Sequence, residues 1–99
     1  MPLTRRYVTL EETIKRVVPE ARGVYALFNE HGILIYYGSS DDLRTAILEH
    51  KKGKISVCTW PAWYFSFEVC GDAVTREKEL LAEYKNKYAR LPHCNEMLA

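Results

Sequence analysis

Two apolar runs of strand length, each bounded by a glycine, lie in the stretch GVYALFNEHGILIYYGSSDDLRTAILEH from Gly23 to His50. The rest of the chain must fold around it. Val24 to Phe28 and Ile33 to Tyr37 are separated by Asn29-Glu30-His31-Gly32, a four-residue connection ending in glycine that predicts a β-hairpin. A symmetric turn places Phe28 opposite Ile33 and, counting outward, Tyr25 opposite Tyr36. Residues paired across an antiparallel ladder share a face at about 5 Å between Cβ atoms. Register alone therefore brings two phenols together near Gly23 and Gly38. Val24, Ala26, Phe28, Ile33, Ile35 and Tyr37 are predicted on one face, and Tyr25, Leu27, Leu34 and Tyr36 on the other. Both faces are mainly apolar, which predicts a central, doubly covered hairpin.

Ninety-nine residues suit a single domain, residues 1–99, with a core over about 20–95 and a loose basic arm at 1–8 carrying Arg5 and Arg6. Apolar residues make up 47% and charged residues 27%, a globular balance. The formal charge of +1 announces neither a nucleic-acid nor a membrane partner, so any attraction must come from local patches. Cys58, Cys70 and Cys94 cannot all pair within the chain, and with His93 they fit no zinc spacing. With no signal peptide and no apolar run near 20 residues in sight, a reducing cytoplasm and no membrane contact are expected.

Thr9-Leu10-Glu11-Glu12 has capping-box spacing and predicts a short packing helix that Pro19 ends. Ser39 to Asp42 offer caps for a helix over about 42–52, whose stripe Leu43, Ala46, Ile47 and His50 faces the sheet while Arg44 points elsewhere. Lys51, Lys52 and Lys54 form a small basic patch at its end. Residues 55–61, with Cys58 and Trp60, form a connection of no assigned role. Trp63 to Cys70 alternates as a third strand, and Asp72 caps a helix over about 73–88. Glu77 lies on the apolar stripe of that helix with Val74, Leu80, Leu81, Tyr84 and Tyr88. A carboxylate there needs a cation, a salt bridge or strong donors. The fold so described is α+β: a three-stranded antiparallel sheet flanked by helices.

Gly23-Val24-Tyr25, followed by Tyr36-Tyr37-Gly38, resembles the paired motifs of the GIY-YIG nuclease superfamily. The resemblance continues through His50 on the next helix, Glu77 beside Leu80-Leu81, and the ending Pro92-His93-Cys94-Asn95, covering about residues 20 to 95. It implies hydrolysis of DNA phosphodiesters with one divalent cation, Mg²⁺ or Mn²⁺, held by Glu77. Tyr25 becomes the implied general base or water-positioning group, Tyr36 and His50 position phosphate or water, and Gly38, Arg44 and Asn95 support the site. Lys51, Lys52, Lys54 and Arg76 become candidate nucleic-acid contacts.

One position departs from the pattern. Where the family carries a phosphate-clamping arginine, ten residues after the second-motif tyrosine, this chain has Ala46. Arg44 is two residues earlier, a rotation of about 200° on a helix, and does not simply replace it. Losing one charge-stabilising donor commonly costs on the order of 10²–10³ in rate. Two readings follow: a metal-dependent endonuclease of reduced rate, and a degenerate module that binds nucleic acid or a protein partner without cutting. A core with no DNA-reading domain of its own would take its targeting from a protein partner.

Overall fold

The computed structural model describes Leu3 and residues 5–98. Eight elements follow one another: β1 (Tyr7–Val8), α1 (Glu11–Val17), β2 (Gly23–Phe28), β3 (Leu34–Ser40), α2 (Leu43–Lys51), β4 (Tyr64–Val69), α3 (Ala73–Tyr88) and α4 (His93–Leu98). The strands form one antiparallel sheet in the order β1-β4-β2-β3. All six residues of β2 are buried, as two apolar faces require of a strand with neighbours on both sides. Only half of the hairpin is central, however, because β3 is a sheet edge. No helix among the described residues is long and apolar enough to cross a membrane.

The sheet has four strands rather than three. The fourth comes from the predicted arm, where Tyr7 pairs with Phe65 and Val8 with Tyr64. The Tyr7 ring stacks on Phe65 and Phe67 at centroid distances of 5.4 and 6.0 Å. Ser66 Oγ also donates to the Arg5 carbonyl at 2.7 Å. One aromatic thus anchors a segment whose charge alone suggested a loose end. Met1, Pro2 and Thr4, also assigned to that arm, lie outside the described residues.

The hairpin register differs from the symmetric expectation by two one-residue steps. Asn29 Oδ1 accepts from the His31 and Ile33 N–H groups, and the Asn29 N–H donates to the Ile33 carbonyl. The turn therefore closes one residue later than a Phe28–Ile33 pair, with Gly32 at φ +75°. An irregularity between Leu27 and Phe28 adds the second step, so that Phe28 faces Leu34, Leu27 faces Tyr36 and Tyr25 faces Gly38. Each single step swaps the two faces of a strand. Two steps restore Tyr25 and Tyr36 to one face, now as diagonal neighbours. Between the steps the swap persists: Ile33 is exposed, and Ile35 joins the core beneath Tyr25 and Leu27.

Helices α1 and α2 cover the Tyr25 face, where Ile14, Val18, Leu43 and Ile47 pack on Leu27 and Phe65. Helix α3 covers the other, where Ala73 and Leu80 meet Val24. The stripe of α2 is buried as read, at Leu43, Ala46, Ile47 and His50, and Asp42 accepts from the Thr45 N–H as its cap. The expected capping box of α1 does not form. Thr9 is drawn into the sheet margin, where its N–H donates to the Trp63 carbonyl, and Leu10 occupies the cap position. Helix α3 has the predicted bounds but a rotated stripe: Val74 and Tyr88 are exposed, whereas Ala73 and Leu80 are buried.

Candidate active site

Glycine at position 38 makes the room in which the site is built. A Cβ there would lie 2.5 Å from Tyr25 Cζ and 2.8 Å from Tyr36 Cε2. With only hydrogen at that point, the two rings approach to a centroid distance of 6.0 Å. His50 reaches the same point from α2, its ring 5.4 Å from Tyr25 and 5.1 Å from Tyr36.

His50 is 1% exposed, and both its ring nitrogens are engaged. Nε2 lies 2.7 Å from the Tyr25 hydroxyl and Nδ1 2.6 Å from Thr59 Oγ1, which in turn donates to the Ser56 carbonyl at 3.4 Å. The carbonyl only accepts, and the direction of the chain is assigned on that basis. Thr59 donates to Ser56 and accepts from Nδ1–H, leaving Nε2 to accept from the Tyr25 O–H. Burial pulls the His50 pKa from 6.5 down to about 4, so the ring is neutral near pH 7. Burial first, then Tyr36 and the charges of Glu77 and Glu49, push the Tyr25 phenol up. Tyr36 rises for the same leading reason, followed by Glu77. Thr59 is a site residue that the sequence reading missed, because one threonine in an irregular connection carries no spacing signal.

Glu77 is half-buried, and its charge acts on both tyrosines. No hydrogen bond or ion pair occupies its carboxylate among the described residues. No three His, Cys, Asp or Glu side chains gather to form a metal cage among those residues. A single free carboxylate still fits magnesium, which keeps several waters and takes one or two carboxylates plus substrate phosphate.

The other candidates divide. Asn95 on α4 accepts from the Tyr37 N–H and donates to the Tyr37 carbonyl, both at 2.9 Å. It completes the open edge of β3 at the residue next to Tyr36. Arg44 is not brought to the tyrosines: Nε donates to the Val18 carbonyl at 2.8 Å and the guanidinium meets Glu20, tying α2 to the end of α1. Arg76, a candidate nucleic-acid contact, is partly buried and paired with Glu68 at 3.1 Å and Glu79 at 3.4 Å. Those two carboxylates engage the charge that a DNA contact would use. Lys51, Lys52 and Lys54 sit at and beyond the end of α2, the first two close enough to Glu11 to lower its pKa, after Lys15. Ala46 is buried on the His50 stripe. Cys58 and Cys94 form a disulfide that the reading of the three cysteines did not assign, and Cys70 is free. The link joins the loop of Thr59 to the helix of Asn95.

Neither family models nor curated protein sequences match the chain. Solved structures do. The magnesium-bound N-terminal GIY-YIG endonuclease domain of UvrC from Thermotoga maritima superposes with a TM-score of 0.55 at 22% identity, over 82% of this chain and 96% of that one. A point mutant of the same domain, bound to its catalytic divalent cation, gives 0.55 and 22% over 82% and 94%. The chain has a GIY-YIG-like fold. The GIY-YIG-like frame agrees with the resemblance read from Tyr25, Tyr36 and Gly38.

Proposed function

We propose that this GIY-YIG-like domain is a metal-dependent endonuclease that hydrolyses DNA phosphodiester bonds. The observation that carries the reading is the meeting of Tyr25, Tyr36 and His50 at Gly38, with the free carboxylate of Glu77 acting on both phenols. Glu77 would hold one Mg²⁺ or Mn²⁺, which when bound supplies Lewis acidity to the scissile phosphate and the leaving oxygen.

Tyr25 is too weak an acid to act as a preformed phenolate, since burial raises its pKa. Its hydrogen bond to Nε2 offers another route. As water attacks phosphorus, its proton passes to the Tyr25 oxygen while the Tyr25 proton passes to Nε2. The new P–O bond forms, the old one breaks, and the leaving alkoxide takes a proton from solvent. The imidazolium so formed keeps Nδ1–H on Thr59. With a pKa of about 4, His50 rests neutral and able to accept. A phosphate anion alongside raises that basicity. Tyr36, less buried than Tyr25, orients a phosphate oxygen.

Ala46 favours a second reading, a module that binds nucleic acid or a protein partner without cutting. A panel of supercoiled, branched and single-stranded DNA separates the two. The nuclease reading expects cleavage with Mg²⁺ or Mn²⁺ that chelation stops and Glu77→Gln abolishes. DNA binding with no cleavage at any metal concentration would overturn it in favour of the second. Targeting through a protein partner completes the proposal, while the Cys58–Cys94 disulfide argues against the reducing cytoplasm that the sequence suggested.

A further inference from the structure

Between Glu49 and Glu68 the chain carries no carboxylate, yet it holds Lys51, Lys52, Lys54, Trp60 and Trp63. In a molecule of net charge +1 this is a local concentration of positive charge and indole. Trp60 is 59% exposed. Its ring lies over Gly53, where a Cβ would sit 3.3 Å from Cδ1 and 3.4 Å from Cγ, between Lys52 and Lys54 in the chain. The loop that presents it is held in place rather than loose. Gly53 N–H donates to the His50 carbonyl, Lys54 N–H to Glu49 and Trp60 N–H to Ser56. The Cys58–Cys94 link pins it from below. One residue before Trp60, the fully buried Thr59 holds Nδ1 of His50. The exposed indole is thus one peptide and two side chains away from the Tyr25 hydroxyl.

We propose that Trp60, with Lys51, Lys52 and Lys54, forms a stacking site for an unpaired nucleotide beside the scissile phosphate. The substrate class is then DNA with a locally single strand, at a branch, flap or frayed end. This rests on the nuclease reading for its position and deepens it. In a duplex both faces of each base are already stacked, so an exposed indole gains nothing there. An unpaired base offers a free face, and aromatic stacking holds any of the four bases. Lysines supply the phosphate attraction, Lys51 and Lys52 sharing theirs with Glu11. Trp60, Val57 and Trp63 are also apolar enough for a second copy of this chain to dock, but the lysines and the missing carboxylates favour a polyanion.

Fluorescence anisotropy in EDTA, where nothing is cut, tests the site with three probes of equal length: a splayed-arm duplex, a full duplex and oligo(dT). Trp60→Ala should weaken the splayed-arm and oligo(dT) complexes about tenfold, a stacked base's share, and leave the duplex within about twofold. Trp60→Phe, which keeps a π face, should restore most of the loss. In Trp63→Phe, Trp60 is the remaining indole, and oligo(dT) should quench its emission. Equal affinity of wild type and Trp60→Ala for all probes would overturn the site, as would equal losses on all three. A change of sedimentation from dimer to monomer in Trp60→Ala, with DNA binding intact, would assign the face to self-association and overturn it too. Trp60-dependent binding in a protein that never cleaves would keep the stacking site and overturn the nuclease reading. Cleavage indifferent to Trp60 would do the reverse.

Discussion

Burial makes the neutral state of His50 a commitment of the fold. Its folded pKa of about 4 lies below the ordinary 6.5, so between these values the unfolded chain binds a proton that the folded chain refuses. Stability is therefore full above pH 6.5 and falls as the pH drops toward 4, by about 3 kcal/mol for this group alone. Urea melts from pH 7.5 to 4.5 should show that loss, and His50→Gln should flatten it. Thr59 belongs to the same chain of hydrogen bonds. Thr59→Val strands the buried Nδ1–H, at a cost of about 1–3 kcal/mol, and removes the group that sets the ring's tautomer. Thr59→Ser should restore both stability and cleavage; a valine variant as active and stable as wild type would break the proposed relay.

Two long-range links run from α4, one to the hairpin and one to the loop of Thr59. Edge strand β3 has its Tyr37 backbone groups completed by Asn95, 58 residues away. Asn95→Ala should cost about 1 kcal/mol, since water reaches the freed groups in part. Hydrogen exchange at the Tyr37 amide should speed up while the β2–β4 ladder stays protected. The Cys58–Cys94 link spans 36 residues, and closing a loop of that size stabilises by up to about 4 kcal/mol in the chain-entropy model. Thermal melts with and without reductant check this. The sequence made helix α2 readable because caps and apolar spacing are local signals: Asp42 and the stripe ending at His50 stand as read. Asn95 was legible only through the family ending, and the Cys58 partner not at all. The hairpin register misled for a definite reason. Turn closure at Asn29 and the step after Leu27 depend on side-chain hydrogen bonds and packing that residue counting omits.

Across the whole molecule, the sites that local patterns could not reach are those where separate elements meet. The fourth strand needed Tyr7 against Phe65. The ion pair of Arg76 needed Glu68 on β4, and the rotated α3 stripe followed from seating Ala73 and Leu80 on Val24. Glu77 kept its partly buried place through that rotation, because it lies between Ala73 and Leu80 on the new stripe as it did beside Val74 on the old. The arginine of the GIY-YIG pattern, replaced here by Ala46, is also a whole-molecule question, since any substitute must be a cation that the fold brings near. Arg44 is committed to Val18 and Arg76 to Glu68, so neither is free to serve. Position 46 lies on the stripe one turn before His50, with Glu49, whose charge also reaches Tyr25, one turn after. An arginine there must extend past a tight core, and Ala46→Arg should lower stability by about 1–3 kcal/mol. Its guanidinium would have Glu49, three residues on, as a partner. If the missing donor limits the chemistry, cleavage per folded molecule should rise by on the order of 10²–10³ at saturating metal. The double variant Ala46→Arg with Glu77→Gln should stay silent, which ties any gain to this site. An unchanged rate in a folded Ala46→Arg protein would mean that the wild-type frame already supplies its cation, and Lys51, at the end of the same helix as His50, is then the residue to replace.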